Sequence, residues 1–130
     1  MANPTDTYRT VTPYLLVADA GAELTFLKTA FDASETSCQR GPDNTVMHAE
    51  VTIGDSLVML GQASDRWPSR PAALYLWVED VDVTYARALR AGATSESAPE
   101  DKPYGHRNGG VIGPNGVTWW IAAPVRPRPA

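Results

Sequence analysis

The feature that most constrains the fold is an internal repeat within the 130 residues. The order of a strand, a helix and a two-stranded hairpin is predicted twice, and equivalent positions lie between 59 and 61 residues apart. Such spacing implies the duplication of one βαβββ-type unit, in which the third strand is the least defined. The pairs that set the spacing are Val17 with Val78, Ala33 with Ala93, and Ile53 with Ile112.

The first half shows a helix pattern between two strand patterns. Leu24, Leu27 and Phe31 have the i, i+3, i+7 spacing of a buried helical stripe. The predicted elements are a strand Thr10–Val17, a helix capped by Asp19 that ends near Phe31, a strand Val46–Ile53, the turn Gly54-Asp55 and a return strand Ser56–Gly61.

The second half repeats this order. Its predicted elements are a strand Ala73–Val78, a helix capped by Asp80 or Asp82 that runs through Arg90 to a stop at Gly92, a polar loop 94–105, a strand near Gly109–Ile112, the turn Gly113–Gly116 and a strand Val117–Ala122. The predicted class is α+β with two βαβββ modules. The expected divisions are an N-terminal tail 1–9, a first module 10–62, a linker 63–71, a second module 72–123 and a flexible tail 124–130.

The hairpin of the first half separates two faces of a sheet. A two-residue loop at Gly54-Asp55 pairs Glu50 with Met59. The face that points away from the helix mixes apolar and polar side chains, which is typical of the lining of a ligand cavity. The face predicted to pack on the helix holds Met47, Ala49, Val51 and Ile53, and the other holds His48, Glu50, Thr52, Leu57 and Met59.

Composition excludes several classes of function. The net charge of −4 argues against a nucleic-acid partner, because binding to phosphates needs clustered Lys and Arg. No apolar run approaches the length that crosses a membrane, and the first residues lack the features of a secretory signal. The lone Cys38 cannot form an internal disulfide. A cytoplasmic protein with neither nucleic-acid nor membrane partners is expected.

Five phrases resemble the vicinal oxygen chelate superfamily, which includes glyoxalase I, bleomycin-resistance proteins and extradiol dioxygenases, and most of all its PhnB-like branch. They are PYLLV, VMHAEVTIGDSLVML, LYLWVEDVDVTYARALRAGAT, PEDKPYGHRNGGV and GPNGVTWWIA, within residues 10–123. The resemblance implies paired modules whose sheets curl into an open cup with the ligand site inside. It also implies a homodimer.

The metal positions of the superfamily fall on residues that are poor ligands in this chain. Carried over one by one, they are Thr12, Met59, Ala73 and Trp120. Hard divalent cations and zinc need carboxylate, carbonyl, imidazole or thiolate donors, so no metal and no other cofactor is predicted. The minority alternative is a divalent metal held by His48, Glu50 and His106. His106 stands where relatives often carry Asp, and it could equally be a solvent-facing loop residue.

The resemblance and the strand alternation together predict an aromatic ligand cavity. Such a lining suits a planar or cationic organic molecule held by stacking and hydrogen bonds. Trp67 could be a lid or a dimer contact, and the loop Pro99–Tyr104 could cover the mouth of the cavity. Ordinary core packing is the alternative role for the aromatic residues, and for Trp119 it is the preferred role. The candidate ligand-binding residues are Tyr14, His48, Glu50, Met59, Trp67, Tyr75, Trp77, Tyr104, His106 and Trp120.

Three functions therefore stay open, and whether the protein is an enzyme is undecided. The first is metal-free binding of a small molecule, as in bleomycin-resistance proteins. The second is a metal-dependent lyase, isomerase or dioxygenase. The third is metal-free acid–base catalysis by His48, oriented by Glu50.

Overall fold

A computed structural model describes residues 8–125, which divide into two compact units between Arg70 and Pro71. Each unit carries one helix on a four-stranded mixed sheet, with strand orders β1-β4-β3-β2 and β5-β8-β7-β6. Unit 1 contains β1 (Tyr14–Val17), α1 (Ala20–Phe31), β2 (Ser34–Arg40), β3 (Val46–Ile53) and β4 (Ser56–Gln62). Unit 2 contains β5 (Ala73–Trp77), α2 (Val81–Arg90), β6 (Thr94–Asp101), β7 (His106–Ile112) and β8 (Thr118–Pro124). The predicted α+β class with two βαβββ modules is confirmed.

Both helices begin at an aspartate cap. The Asp19 side chain accepts a hydrogen bond from the backbone N–H of Ala22 at 3.0 Å, and Asp80 caps α2 in the same way. Of the two caps proposed for α2, Asp80 is therefore correct, because Asp82 lies one residue inside the helix. Gly92, with φ at 108°, follows the end of α2 as predicted.

The hairpin of unit 1 has the predicted register, with Glu50 opposite Met59. Its helix-facing side is correct except at Met47, which is 48% exposed. Gln39 pairs with His48 and Arg40 with Val46, so Met47 is the extra residue of a β-bulge and turns away from the helix.

Two predicted element boundaries are wrong. The first strand begins at Tyr14 rather than at Thr10, because Pro13 has no N–H for the sheet. Residues 94–105 are not a loop, since Thr94–Asp101 forms the edge strand β6. Edge strands of sheets tolerate the polar residues and proline that obscured this one. His106 accordingly begins strand β7 instead of lying in a loop.

The two terminal tails and the linker complete the comparison with the sequence. The predicted tails 1–9 and 124–130 fall largely outside the described residues, but Pro124 is the last residue of β8. The predicted linker 63–71 is held against unit 1 by a hydrogen bond from the Arg70 N–H to the Leu16 carbonyl at 3.1 Å. Within residues 8–125, no helix is long and apolar enough to cross a membrane.

Candidate functional site

The sheet face of unit 2 that points away from α2 carries a cleft of about 540 Å³, called here the unit 2 cleft. Its size falls within the range of small-molecule sites, about 300–1,000 Å³. Two of its wall residues, Tyr75 and Trp120, are neighbours in the register of β5 and β8. The residues that line it are Tyr75, Ser97, Lys102, Tyr104, Asn108 and Trp120.

A tight turn between β6 and β7 places one wall of this cleft. The Lys102 N–H donates to the His106 carbonyl at 2.7 Å, and the Gly105 N–H donates to the Lys102 carbonyl at 3.1 Å. Gly105 has φ at 92°, a conformation that costs glycine little, and Pro103 has the fixed φ that suits the second position of such a turn. Tyr104, the residue between them, is thereby fixed beside β7.

Four aromatic rings meet at this end of the sheet and form the aromatic cluster, defined as Tyr75, Trp77, Tyr104 and His106. Trp77 and His106 have ring centroids 4.7 Å apart, and Tyr104 and His106 are 5.1 Å apart, both nearly perpendicular. Tyr75 contacts Trp77 at 5.2 Å. Edge-to-face contacts of this kind stabilise rings that stay partly exposed, as Tyr75, Trp77 and Tyr104 do.

Asn108 holds the two tyrosines of the cluster together. Its side chain is 3% exposed, and its Nδ2 donates to the hydroxyl oxygens of Tyr104 at 2.9 Å and Tyr75 at 3.0 Å. The Tyr75 hydroxyl lies 2.9 Å from Nδ1 of His106. Because Asn108 occupies a lone pair of Tyr75, the phenol can donate its own proton to Nδ1 when His106 is neutral with its proton on Nε2. The rings are therefore locked by hydrogen bonds as well as by packing.

Glycine at position 110 allows Trp120 to lie against strand β7. A methyl group on Gly110 would stand 2.6 Å from Cζ3 of the Trp120 indole, well inside contact distance. Trp120 is half-buried, so the indole presents part of its surface to the cleft. A flat apolar surface thus lies beside the phenols that Asn108 holds.

One cation lies in the lining of the unit 2 cleft. The Lys102 side chain is 24% exposed and forms an ion pair with Glu100, whose side chain is 66% exposed. The Glu100 carboxylate raises the pKa of Lys102 above its usual value, so the ammonium stays charged at neutral pH. The lining residues include no carboxylate.

The neighbouring Arg107 belongs to a different contact. Its guanidinium makes two hydrogen bonds to the carboxylate of Asp82, at 2.8 and 2.9 Å, and a third to Asp101 at 3.2 Å. These contacts join β7 to the first turn of α2. Arg107 lowers the pKa of Asp82, chiefly through these hydrogen bonds.

Unit 1 has a cleft of about 470 Å³ on its own sheet, called here the unit 1 cleft. The ring of His48 stands edge-on to Tyr14 with centroids 5.8 Å apart. Gln62 bonds the backbone at the start of α1, because its side chain accepts from the Ala20 N–H and donates to the Ala18 carbonyl. The cleft holds no carboxylate, lysine or arginine among its lining residues, which are Tyr14, Leu16, Met47, His48, Gly61, Gln62 and Trp67.

His48 and Glu50, which were predicted to act as a pair, have separate contacts in the structure. Glu50 accepts a hydrogen bond from the Tyr8 hydroxyl at 2.8 Å and so raises the pKa of that phenol. Met59 lies between Tyr14 and Glu50 in the sheet register and is half-buried. The carboxylate is thus engaged by the N-terminal segment, whereas the imidazole faces Tyr14.

The side chains at the positions that the resemblance assigns to a metal do not fit a metal ion. Thr12 precedes the first strand, and its hydroxyl donates to the Arg9 carbonyl at 3.2 Å. Met59, Ala73 and Trp120 offer a thioether, a methyl group and an indole, none of which is a ligand for a hard cation. Within residues 8–125, no three His, Cys, Asp or Glu side chains are grouped so as to hold a metal ion.

The predicted site residues divide between the two units. Unit 2 brings together Tyr75, Trp77, Tyr104, His106 and Trp120, and unit 1 brings together Tyr14, His48 and Trp67, with Glu50 and Met59 alongside. Sequence reasoning missed Ser97, Lys102 and Asn108. Asn108 could have been found, because it stands two residues after His106 and alternation along a strand puts both on one face.

Comparison with known proteins identifies relatives along nearly the whole chain. Residues 9–121 match the model of the Glyoxalase/Bleomycin resistance protein/Dioxygenase superfamily. The Mycobacterium tuberculosis protein Rv0887c is 37% identical over 127 residues, which cover 89% of this chain and 75% of that protein.

Solved structures share the fold. TioX from Micromonospora sp. ML1 has a TM-score of 0.73 at 22% identity and covers 92% of this chain and 98% of its own. A Bacillus cereus structure titled a putative 3-demethylubiquinone-9 3-methyltransferase, PhnB protein, has a TM-score of 0.69 at 21% identity, covering 88% of this chain and 99% of its own. Likeness at these identities concerns the fold alone.

Proposed function

The chain belongs to the glyoxalase/bleomycin resistance protein/dioxygenase superfamily, and we propose that it binds a small planar aromatic molecule in the unit 2 cleft without a metal ion. The observation that carries the proposal is the contact of Asn108 with the hydroxyls of Tyr75 and Tyr104. A buried amide that holds two partly exposed phenols beside an indole keeps an aromatic wall ordered before any ligand arrives. Ordering the wall in advance lowers the entropy cost of binding.

Aromatic surfaces in such a wall add to the free energy of binding. Each well-placed aromatic contact adds about 0.5–1.5 kcal/mol beyond the burial of apolar area. Tyr75, Tyr104 and Trp120 offer three such surfaces in one cleft. Hydroxyl, amide and ammonium groups at its edge supply the few polar contacts that orient a ligand.

The donor chemistry supports the metal-free part of the proposal. Threonine, methionine, alanine and tryptophan occupy the positions that hold the ion in relatives, so a metal-dependent lyase, isomerase or dioxygenase is the less favoured alternative. Acid–base catalysis by His48 with Glu50 is also less favoured, because Tyr8 engages the Glu50 carboxylate.

Binding is tested by isothermal titration calorimetry of the purified protein with a panel of naphthalene and quinoline derivatives. Wild type should bind at least one of them at micromolar concentration, and Trp120→Ala should weaken that binding about tenfold. Trp67→Ala, a change in the unit 1 cleft, should leave it unchanged. Equal affinity in wild type and Trp120→Ala would place the ligand elsewhere.

The metal is tested separately by elemental analysis of protein purified without added metal. Nickel, zinc, manganese or iron at one equivalent per chain, removable by a chelator, would overturn the metal-free proposal. The expected result is less than a tenth of an equivalent of any transition metal.

A homodimer in the cytoplasm is the assembly and compartment that the resemblance and composition favour. Light scattering coupled to size-exclusion chromatography measures the assembly directly. A mass near twice the chain mass of 14.0 kDa would support the dimer, and a mass near 14.0 kDa would contradict it.

A further inference from the structure

The unit 2 cleft differs from a purely aromatic site because a charged side chain lines it. Among the described residues that line it, Lys102 alone is ionic, and the other polar groups include the hydroxyls of Ser97 and Tyr104, both able to donate hydrogen bonds. None of the described residues that line it is a carboxylate, and the neighbouring Glu100 carboxylate is bound to Lys102. We infer that the preferred ligand is an aromatic anion, with a carboxylate or phenolate oriented toward the Lys102 ammonium. The inference rests on the proposed function and names the class of ligand.

The position of Lys102 is fixed by its backbone. Two backbone hydrogen bonds close the turn at this residue, one from its N–H to the His106 carbonyl and one from the Gly105 N–H to its own carbonyl. The side chain therefore starts from an ordered point at the edge of the cleft. Its low exposure, 24%, means that the methylene groups pack against protein, which places the ammonium at the edge of the cleft.

The partner of Lys102 is displaceable. Glu100 lies two residues earlier and its side chain is 66% exposed, so its carboxylate can return to water without loss of packing. An exposed ion pair of this kind contributes little free energy. An aromatic carboxylate whose ring stacks on Trp120 gains the ion contact together with aromatic contacts, whereas Glu100 gains the ion contact alone. Glu100 therefore competes weakly for the site.

Cationic aromatic ligands are disfavoured by the same geometry. An ammonium placed against Trp120 would gain a cation–π contact but would share the cleft with the Lys102 ammonium. Repulsion between like charges in a partly desolvated cleft opposes this arrangement. The order of affinity expected for one ring system is anion, then neutral amide, then cation.

Three probes with one ring system test this order: naphthoate, naphthamide and naphthylmethylammonium, titrated by calorimetry at neutral pH and low salt. Wild type should bind naphthoate about tenfold more tightly than naphthamide. Equal binding of the two would overturn the charge preference and leave aromatic binding intact. Binding of none of the three would count against aromatic binding itself.

Three variants locate the charge. Lys102→Met, which keeps the aliphatic stem, should reduce naphthoate affinity about tenfold and leave naphthamide within twofold. Lys102→Arg should retain the preference for the anion. Glu100→Gln, which removes the competing carboxylate, should strengthen naphthoate about threefold. A Lys102→Met variant that melts like wild type and still prefers naphthoate over naphthamide would overturn the assignment.

Discussion

The two units share a backbone design and differ in what they build on it, most clearly at the turn before the third strand of each sheet. In unit 1 the Gly41 N–H donates to the Thr45 carbonyl and the Asn44 N–H donates to the Gly41 carbonyl. The same pattern closes the unit 2 turn described above. Asn44, with φ at 67°, takes the left-handed position that glycine holds in unit 2.

The side chains on these equivalent turns are unlike. Pro42 and Pro103 hold the same place, but Asp43 stands in unit 1 where Tyr104 stands in unit 2. Hydrogen bonds from the Thr45 side chain and from the Thr45 N–H to the Asp43 carboxylate lower the pKa of that carboxyl. One turn is thus stabilised by its own side chain, while the other presents its side chain to a cleft. The two units therefore share the backbone of this turn and differ in the side chains that it presents.

The junction between helix and sheet shows the same contrast. In unit 1 a methyl group added at Gly21 would lie 3.7 Å from Cγ2 of Val46, which is buried, so this junction is an apolar contact. In unit 2 the equivalent positions hold Asp82 and Arg107, which form the bidentate ion pair. The equivalent contact between helix and sheet is therefore apolar in unit 1 and ionic in unit 2.

The cores exchange large and small residues between helix and sheet. Unit 1 buries Leu27 from its helix and Val58 from its sheet, both at most 4% exposed. Unit 2 buries Ala88 and Trp119 at the equivalent positions. The larger side chain of the two comes from the helix in unit 1 and from the sheet in unit 2. This exchange is tolerated because a core needs to keep its total side-chain volume.

The largest effect should follow from replacing Trp119 by the residue of the other unit. Trp119→Val should lower the free energy of unfolding by about 2–4 kcal/mol, because the smaller side chain leaves a cavity where the buried indole was. Urea denaturation measures the change. The matched variant Val58→Ala removes fewer atoms and should cost about 1–2 kcal/mol. A loss below that control value in Trp119→Val would mean that the two cores do not exchange volume as described.

The next effect concerns the two glycines that lie against aromatic rings. Gly110→Ala should weaken naphthoate binding about tenfold, because the new methyl group displaces the Trp120 indole from its position on β7. Gly61→Ala is the matched change in unit 1, where a methyl group would stand 2.6 Å from the Tyr14 hydroxyl. It should leave binding within twofold, as measured by calorimetry. Equal losses in both variants would show that the units do not differ in function.

A smaller effect is expected from exchanging the turn residue. Tyr104→Asp gives the unit 2 turn the side chain of unit 1 and removes one phenol from the aromatic cluster. Affinity for naphthamide should fall about three- to fivefold, the value of one aromatic contact; the neutral probe is used because the new carboxylate would also repel naphthoate. Asp43→Tyr in unit 1 serves as the control and should not change it. An unaltered dissociation constant for Tyr104→Asp would remove this residue from the site.

The smallest effect should come from the ion pair at the helix junction. Arg107→Gln should lower stability by about 0.5–1 kcal/mol at neutral pH, because the pair is partly exposed. The pKa of Asp82 is lowered in the folded protein, so this stability is present above the carboxyl's usual value of about 3.9 and is lost as pH falls below it. Urea midpoints for wild type and variant should therefore converge in acid. A constant difference across pH would assign the effect to packing.

The repeat, the helix caps and the hairpin register were predictable because each depends on local chemistry. The cap at Asp80 and the pairing of Glu50 with Met59 follow from residue type and spacing. Bulges are less visible in a sequence, and Met47 is one extra residue in unit 1 with no counterpart in unit 2. A bulge moves every later position by one, and the alternation assumed for Met47 failed for that reason.

One equivalence drawn from the repeat was also wrong by one residue. Ile112 lies opposite Thr118 in unit 2, whereas it is Thr52, not Ile53, that holds this place opposite Leu57 in unit 1. The loop between the last two strands is one residue longer in unit 2, so the apparent match of two isoleucines was coincidental. Side-chain likeness cannot locate an insertion when strands on both sides are apolar.

The site was predicted in part. The aromatic residues could be found because they are rare and alternate along strands. Lys102 and Asn108 were missed because the polar stretch before Gly109 resembles a loop, although Asn108 lies in β7 and Lys102 in the turn that leads into it. Contacts between distant residues, such as Asn108 with Tyr75, depend on tertiary structure and leave no local pattern.

The shared turn also offers a route to protein engineering. Residues 41–45 and 102–106 are segments of equal length with one hydrogen-bonding pattern, so the second could be transplanted in place of the first without altering the loop length. Such a chimaera would carry a lysine, a tyrosine and a histidine on each sheet. A duplicated gene that diversifies one copy of a turn leaves the other as a ready scaffold for a second specificity.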